Sequence, residues 1–363
     1  MAAWKKSPLG KLVAGNPWGS AGLIIILIAP LCVEPFRAQI FGQYLSFAIA
    51  AVSLNLMWGY CGIMSLGHAL FFGLGAYVMG YHLKLQDPAV PEFLAMNGYT
   101  QVPPLLAMLK SPFVAFPLVL LVPAGVAVII GWPTFRSGIK GVYFTILSQA
   151  LALAFYLLFI NQQQFTGGTS GIYNYTAFFG IRASRPQILY PMYYLTAALL
   201  IASVFLVKKL LRSRTGQVLQ AIKAGENRIK FLGYKPVSYK VFVFAVSAAI
   251  AGMGGALYAI QVGSVYPTYL SINYSIMMVI WVAAGGLGTL WGPVIGAVTL
   301  NWAGTFFSEN LPDLWWFVLG GTLIGMVFLF PKGMAGLKEK IESGLSLIIG
   351  KLRSGPRGKR GSV

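Results

Sequence analysis

The sequence predicts an all-α, polytopic membrane protein of about ten transmembrane or half-membrane helices with both termini cytoplasmic. Three observations carry that prediction. The 363-residue chain is 57% hydrophobic and 10% charged, with a mean hydropathy of +0.72, whereas a soluble domain carries about 25% charged residues. Its apolar residues fall in runs of up to about 20, the length of α-helix that crosses about 30 Å of hydrocarbon. Its cations gather at the ends of those runs.

The spans are expected at 20–33, 40–58, 63–83, 113–131, 141–160, 188–206 and 241–262, then a long apolar stretch at 272–306, then 314–330. The first follows Lys5, Lys6 and Lys11 and has the layout of a signal peptide, but Glu34-Pro35-Phe36 stands where a small-residue cleavage site would be. It is read as an uncleaved helix, with cleavage as the alternative. The stretch 272–306 is expected to split at Gly285-Gly286-Leu287-Gly288-Thr289-Leu290-Trp291-Gly292-Pro293. Each half is then about 15 residues, roughly 22 Å, a short or broken helix shielded inside the bundle.

Charge sets the topology, because Lys and Arg resist translocation. With residues 1–19 inside, 84–112 and 161–187 fall outside, and 132–140 (Arg136, Lys140) falls inside. The segment 207–240, with nine cations from Lys208 to Lys240, also falls inside. A split at 272–306 leaves an odd number of remaining crossings, which returns the tail 338–363 to the cytoplasm. Eight cations lie between Lys332 and Arg360 and agree with that side. The permease domain is thus 20–337. The net charge of +19 is explained by these loops and by anionic lipid headgroups, not by nucleic acid.

Candidate chemistry is sparse. Cys32 and Cys61 both lie in apolar runs, so neither a disulfide framework nor a zinc site is implied. The histidines are His68 and His82; the acids are Glu34, Asp87, Glu92, Glu226, Glu309, Asp313, Glu339 and Glu342, none near the middle of a span. Ion-coupled transporters usually keep ionisable groups at membrane depth, so a neutral path driven from elsewhere is expected. No G-x-x-x-x-G-K-[ST] occurs, so no nucleotide site is expected in this chain. A membrane-bound enzyme is disfavoured by the lack of acid or histidine clusters.

Two stretches are informative. Residues 54–77 carry glycines at 59, 62, 67, 73 and 75. These allow either close helix packing or an unwound path with free carbonyls. His68 reads as a satisfied interior histidine rather than a pore residue. The second stretch is 215–236. Val218, Ala221 and Ile222 recur at helical spacing, as do Ile229 and Leu232; Gly233 can end a helix at φ > 0, and Pro236 prevents its restart. An amphipathic helix pair is expected there, docking into a partner or lying on the membrane surface.

These stretches, with Ser247–Ala256, Gly285–Gly296 and Phe330-Pro331-Lys332-Gly333-Met334, resemble the permeases of bacterial ATP-binding-cassette importers for branched-chain amino acids and urea, over most of 45–337. The resemblance implies a second homologous permease chain, two ATPase subunits holding ATP and Mg²⁺, an external solute-binding protein, and a place in the bacterial inner membrane. Family permeases carry a cytoplasmic coupling loop with an acid followed seven residues later by glycine, the spacing of Glu226 and Gly233. The alanines that often follow the acid are replaced by Asn227, Arg228 and Ile229, which resembles the urea branch, as do Trp58-Gly59-Tyr60 and the long loop 84–112. The implied coupling set is Ala221, Glu226, Arg228, Gly233 and Tyr234. Candidate path residues are Asn55, Gly62, Ser65, Gly67, His68, Gly285, Gly286 and Gly288. Urea is the expected solute, branched-chain amino acids the alternative, and a passive channel for a small neutral solute the rival from another class.

Overall fold

The computed structural model describes residues 34–87, 89–173 and 186–310, with isolated positions at 30, 317, 320 and 321. The expected spans 20–33 and 314–330 therefore lie almost wholly outside the described residues, and the tail 338–363 entirely so. The long helices are α1 (Pro35–Asn55), α2 (His68–Lys84), α3 (Pro112–Arg136), α4 (Val142–Asn161), α5 (Pro186–Arg212), α6 (Arg214–Phe231), α7 (Pro236–Val262), α8 (Ile272–Gly285) and α9 (Gly292–Asn310).

Four of these start on a proline, at Pro35, Pro112, Pro186 and Pro236. A first-turn proline gives up an amide that has no helical acceptor anyway, and its fixed φ suits the helix. That is why α1 and α7 begin five residues before their expected apolar runs, and α5 two. The expected span 63–83 is corrected at its start. Gly62 takes φ +77° and residues 62–65 are irregular, so α2 begins only at His68. The end of α1 also changes form, running into a π-helical turn at Leu56–Tyr60.

Among the described residues, five helices are long and apolar enough to cross a membrane: α1 with its π turn, α3, α4, α5 and α7. They divide by burial. The apolar windows of α1 and α7 are 83% and 72% buried, against 22%, 17% and 33% for α3, α4 and α5. The outer helices show Leu121, Ile129, Ile146 and Leu158 to the surroundings, a face that lipid tails satisfy and water does not. Helices α1, α2 and α7 form the shielded centre.

Small residues bring those three together. A Cβ at Gly75 would overlap the Gly252 carbonyl, one at Gly255 would overlap that of Phe72, and one at Gly254 would come within 2.9 Å of the Ser46 oxygen. Backbones this close exchange dispersion contacts that larger residues would forbid. Around them Phe47 packs on Phe72, Tyr258 and Trp281, while Phe244 meets Phe71, Phe135 and Phe144 edge-on.

The predicted split of 272–306 is present. Helix α8 stops at Gly285, Gly286 turns with φ +121° and Gly288 with φ +77°, and α9 leaves antiparallel. Gly285 abuts Gly292 and Gly296 abuts the Trp281 carbonyl, so the two helices touch backbone to backbone. Helix α8 has 14 residues and α9 has 19, so only the first is as short as expected. At the opposite end of the bundle the strands Ile172–Tyr173 and Ser264–Val265 pair antiparallel, and Lys84 donates to the Tyr173 carbonyl at 3.2 Å. The segment 85–111 folds over that end, with Leu94 and Leu109 buried and His82 Nδ1 bonded to the Leu109 carbonyl at 2.7 Å.

Candidate functional site

Helix α6 is the amphipathic segment expected at 215–236. Ser213 caps it, accepting from the Gly216 amide at 3.3 Å. Gly225, in extended backbone, divides it into two helical pieces. Leu219, Ile222 and Ile229 are buried, and Val218 and Ala221 pack partly buried against the core. Gly233 takes φ +83°, its amide bonds the Lys230 carbonyl and that of Tyr234 bonds Ile229, and Pro236 starts α7.

Glu226 faces inward. Its carboxylate accepts from Lys240 at 2.7 Å and pairs with Lys140 at 3.0 Å and Lys230 at 3.6 Å. It thereby ties α6 to the start of α7 and to the turn before α4. Lys240 is 6% exposed and stands over the Phe135 ring at 5.8 Å. Burial pushes the Glu226 carboxyl up, but the hydrogen bonds and charges of Lys240 and Lys140 outweigh it and hold the group below the ordinary glutamate value.

Arg228, Gly233 and Tyr234 are exposed. Beside them stand Phe231, 91% exposed, and Leu232, 71% exposed. Leu232 was expected on the buried face with Ile229; the helix ends at Phe231, so helical spacing no longer governs it. Sequence periodicity did not mark Phe231, and the signal that could have found it is an aromatic residue two positions before a chain-reversing glycine. Lys140, Lys223 and Lys240 were counted only as positive charge; their roles depend on tertiary neighbours.

The candidate path residues fall into four groups. Asn55, Gly286 and Gly288 come together: the Asn55 carboxamide accepts from the Gly288 amide at 2.9 Å and donates to the Thr289 carbonyl at 2.8 Å. Gly59, on the π turn, lies against the same turn, where a Cβ would be 2.8 Å from the Gly288 nitrogen. Gly67 and Gly285 serve close packing, against the Ser148 and Gly292 carbonyls. Gly62 lies against Lys223, whose Cγ would be 3.0 Å from a Cβ there.

His68 and Ser65 are fully buried. Ser53 Oγ donates to the Ala50 carbonyl at 2.7 Å, which leaves it to accept from His68 Nε2–H at 2.8 Å. The expected hydrogen-bonded interior histidine is thus half realised, since among the described residues His68 Nδ1 and Ser65 Oγ have no partner.

A cleft of about 820 Å³ opens between α1, α8 and α9. Its walls combine aromatic faces (Phe47, Tyr258, Trp281) with the amides and hydroxyls of Gln43, Asn301 and Thr305. Glu309 stands at its edge, 3.7 Å from Arg37. None of the expected path residues lines it. Its lining was not legible as a set, because α1 is separated from the α8–α9 hairpin by more than 200 residues of chain.

A bundle with shielded inner helices, apolar outer faces, a polar and aromatic cleft, and a cationic helical segment at one end defines a multi-pass membrane permease. The family model described as the permease component of the branched-chain amino acid transport system matches residues 36–327, and the chain belongs to that family. It is similar to the high-affinity branched-chain amino acid transport permease LivM of Salmonella typhimurium, 24% identical over 348 residues that cover 89% of this chain and 76% of the relative. LivM of Escherichia coli is 24% identical over 335 residues, covering 86% and 73%. BraD of Pseudomonas aeruginosa is 23% identical over 301 residues, covering 81% and 92%. No solved structure matches. Family and spans place the chain in the inner membrane, among transport permeases rather than enzymes. The urea reading drawn from Glu226–Tyr234 finds no support in these relatives, whose names favour the branched-chain alternative.

Proposed function

We propose that this chain is the path-forming permease subunit of an ATP-driven importer of branched-chain amino acids. Its partners are a second permease chain, two ATPase subunits that hold ATP and Mg²⁺, and an external solute-binding protein. The segment 207–240 faces the cytoplasm, as its nine cations require, and 84–112 and 161–187 face outside. The observation that carries the reading is the apex of α6. Phe231 and Leu232 stand in solvent while Glu226 braces the segment from behind. Exposed aromatic and aliphatic side chains on a rigid support are what a partner's groove accepts. Arg228 and Tyr234 flank that apex, so the ATPase meets these residues and Glu226 acts as their support. ATP-driven closure pushes on α6 and, through the Glu226–Lys240 pair, on α7.

The cleft between α1, α8 and α9 is the substrate path in this reading. Its aromatic walls suit a branched aliphatic side chain. Glu309 at its edge, with Arg37 beyond it 3.7 Å away, offers both signs of charge to a zwitterion, a feature of no use to neutral urea. The test is uptake of labelled leucine and labelled urea in cells with and without this chain, with co-purification of the ATPase. Leucine uptake that depends on the chain, together with an ATPase that follows wild type and is lost with Phe231→Ser/Leu232→Ser, is the expected result. Chain-dependent urea uptake with unchanged leucine uptake would return the solute to urea. Uptake without any bound ATPase would make the protein a passive channel.

A further inference from the structure

Lys223 connects the coupling segment directly to the π turn at Leu56–Tyr60, and through it to the α8–α9 hairpin. Its Nζ donates to the Gly59 carbonyl at 2.6 Å. That carbonyl is available because the helix ends at Cys61 and Gly62 reverses the chain with φ +77°. In an uninterrupted α-helix Gly59 would accept from Ile63, but the Ile63 amide goes to Met57 at 3.2 Å and that of Gly62 goes to Trp58 at 3.1 Å. Gly62 adds packing to the bond: a Cβ there would be 3.5 Å from Lys223 Cβ.

The other side of the same turn holds the α8–α9 hairpin. Asn55, one turn before Gly59, clamps Gly288 and Thr289 through both ends of its carboxamide. Gly59 itself has no side chain to separate Gly288 from the π turn. Lys223, Gly59, Asn55 and Gly288 therefore form an unbroken series of contacts from α6 to the hairpin, whose helices supply Trp281, Asn301 and Thr305 to the cleft.

We propose that Lys223 is a positioning residue that transmits displacement of α6 to the α8–α9 hairpin, and so to the cleft, separately from the Glu226–Lys240 route into α7. This rests on the coupling role assigned above to α6. Because α6 and the π turn move as one unit, breaking the Lys223–Gly59 bond uncouples hydrolysis from uptake while leaving the Phe231–Leu232 apex in place.

Two measurements separate this link from the importer reading. In the isolated chain, amide exchange at 286–291 reports the link with no ATPase present. Lys223→Met should raise exchange there and Lys223→Arg should restore protection. Unchanged exchange in Lys223→Met overturns the link. In reconstituted complex, Lys223→Met should keep wild-type ATP hydrolysis and lower the solute moved per ATP by about tenfold, the factor one hydrogen bond to a charged group is worth. An unchanged ratio overturns the transmission role.

A disulfide between Gly62→Cys and Lys223→Cys in a Cys61→Ser background checks the single-unit claim without the lysine. The Cβ separation of 3.5 Å is within reach of a disulfide, and Gly62→Cys alone controls for its φ of +77°. Oxidation should restore the uptake ratio and reduction should abolish it. Loss on oxidation would mean that α6 slides past the π turn, which refutes the proposal. Raised exchange in Lys223→Met, together with a wild-type chain that recruits no ATPase, would sink the importer reading and leave the physical link standing.

Discussion

Glu226→Gln tests what holds the coupling segment in place. The substitution keeps the shape and one acceptor but removes the charge that faces Lys240, Lys140 and Lys230. Breaking a fully buried ion pair costs about 3–5 kcal/mol. Three features lower that figure here. The Glu226 side chain is itself 15% exposed, and those of Lys140 and Lys230 are 45% and 50% exposed, so the latter two contribute about 0–1 kcal/mol each. Lys240 keeps the face of Phe135 and an amide oxygen. About 2 kcal/mol remains, most of it the stranding of Lys240, which is roughly a 30-fold rise in local opening. Hydrogen exchange of residues 225–234 measures that opening directly, in detergent or nanodiscs. The double variant Glu226→Gln/Lys240→Met should recover most of the protection, because removing both partners strands no charge. Protection within twofold of wild type in the single variant, or no recovery in the double, would refute the assignment of Glu226 as the brace.

The same brace makes the segment acid-labile. The folded Glu226 carboxyl lies below its ordinary value of 4.5, so its contribution is fully present above that value and is lost as pH falls below it through the folded value. Exchange of 225–234, corrected for intrinsic rates, should therefore be flat from neutrality to about pH 5 and rise below about 4.5, and Glu226→Gln should abolish the rise. Packing at the centre gives a second outcome. Gly255→Leu drives a side chain into the Phe72 carbonyl and should cost at least about 1–3 kcal/mol, read as a lower temperature of half-inactivation in detergent. Gly125→Ala meets nothing within 4 Å and gains up to about 1 kcal/mol of helix propensity, so it should leave that temperature unchanged or raise it.

What could be read from the sequence was what depends on neighbours in the chain. Apolar length located α1, α3, α4, α5 and α7, and Gly285 to Pro293 showed that 272–306 folds back on itself. The glycine at 233 and the proline at 236 marked the end of α6 and the start of α7 as found. The start of α2 was misplaced because apolar character continues through Ile63 to Leu66 while the backbone does not continue as helix. The glycines of 54–77 look alike in sequence but separate in space: 67, 73 and 75 admit other backbones or side chains, whereas 59 and 62 receive the coupling segment and the hairpin turn. Nothing local distinguishes Lys223 or Lys240 from the other cations of 207–240, because their assignments are made by Gly59 and Glu226, each far away along the chain or across a turn.

The short strand pair has a mechanical meaning. It fastens the chain just past Val262 to Ile172 and Tyr173 by backbone hydrogen bonds, which salt does not screen. The other end of α7 is fastened by the Lys240–Glu226 ion pair, whose burial leaves it far less screened by salt than an exposed pair. A 27-residue helix is about 40 Å long. Force delivered at its ionic end thus acts on the long arm of a lever whose fulcrum is two residues of ladder, and both fastenings should hold as ionic strength is raised.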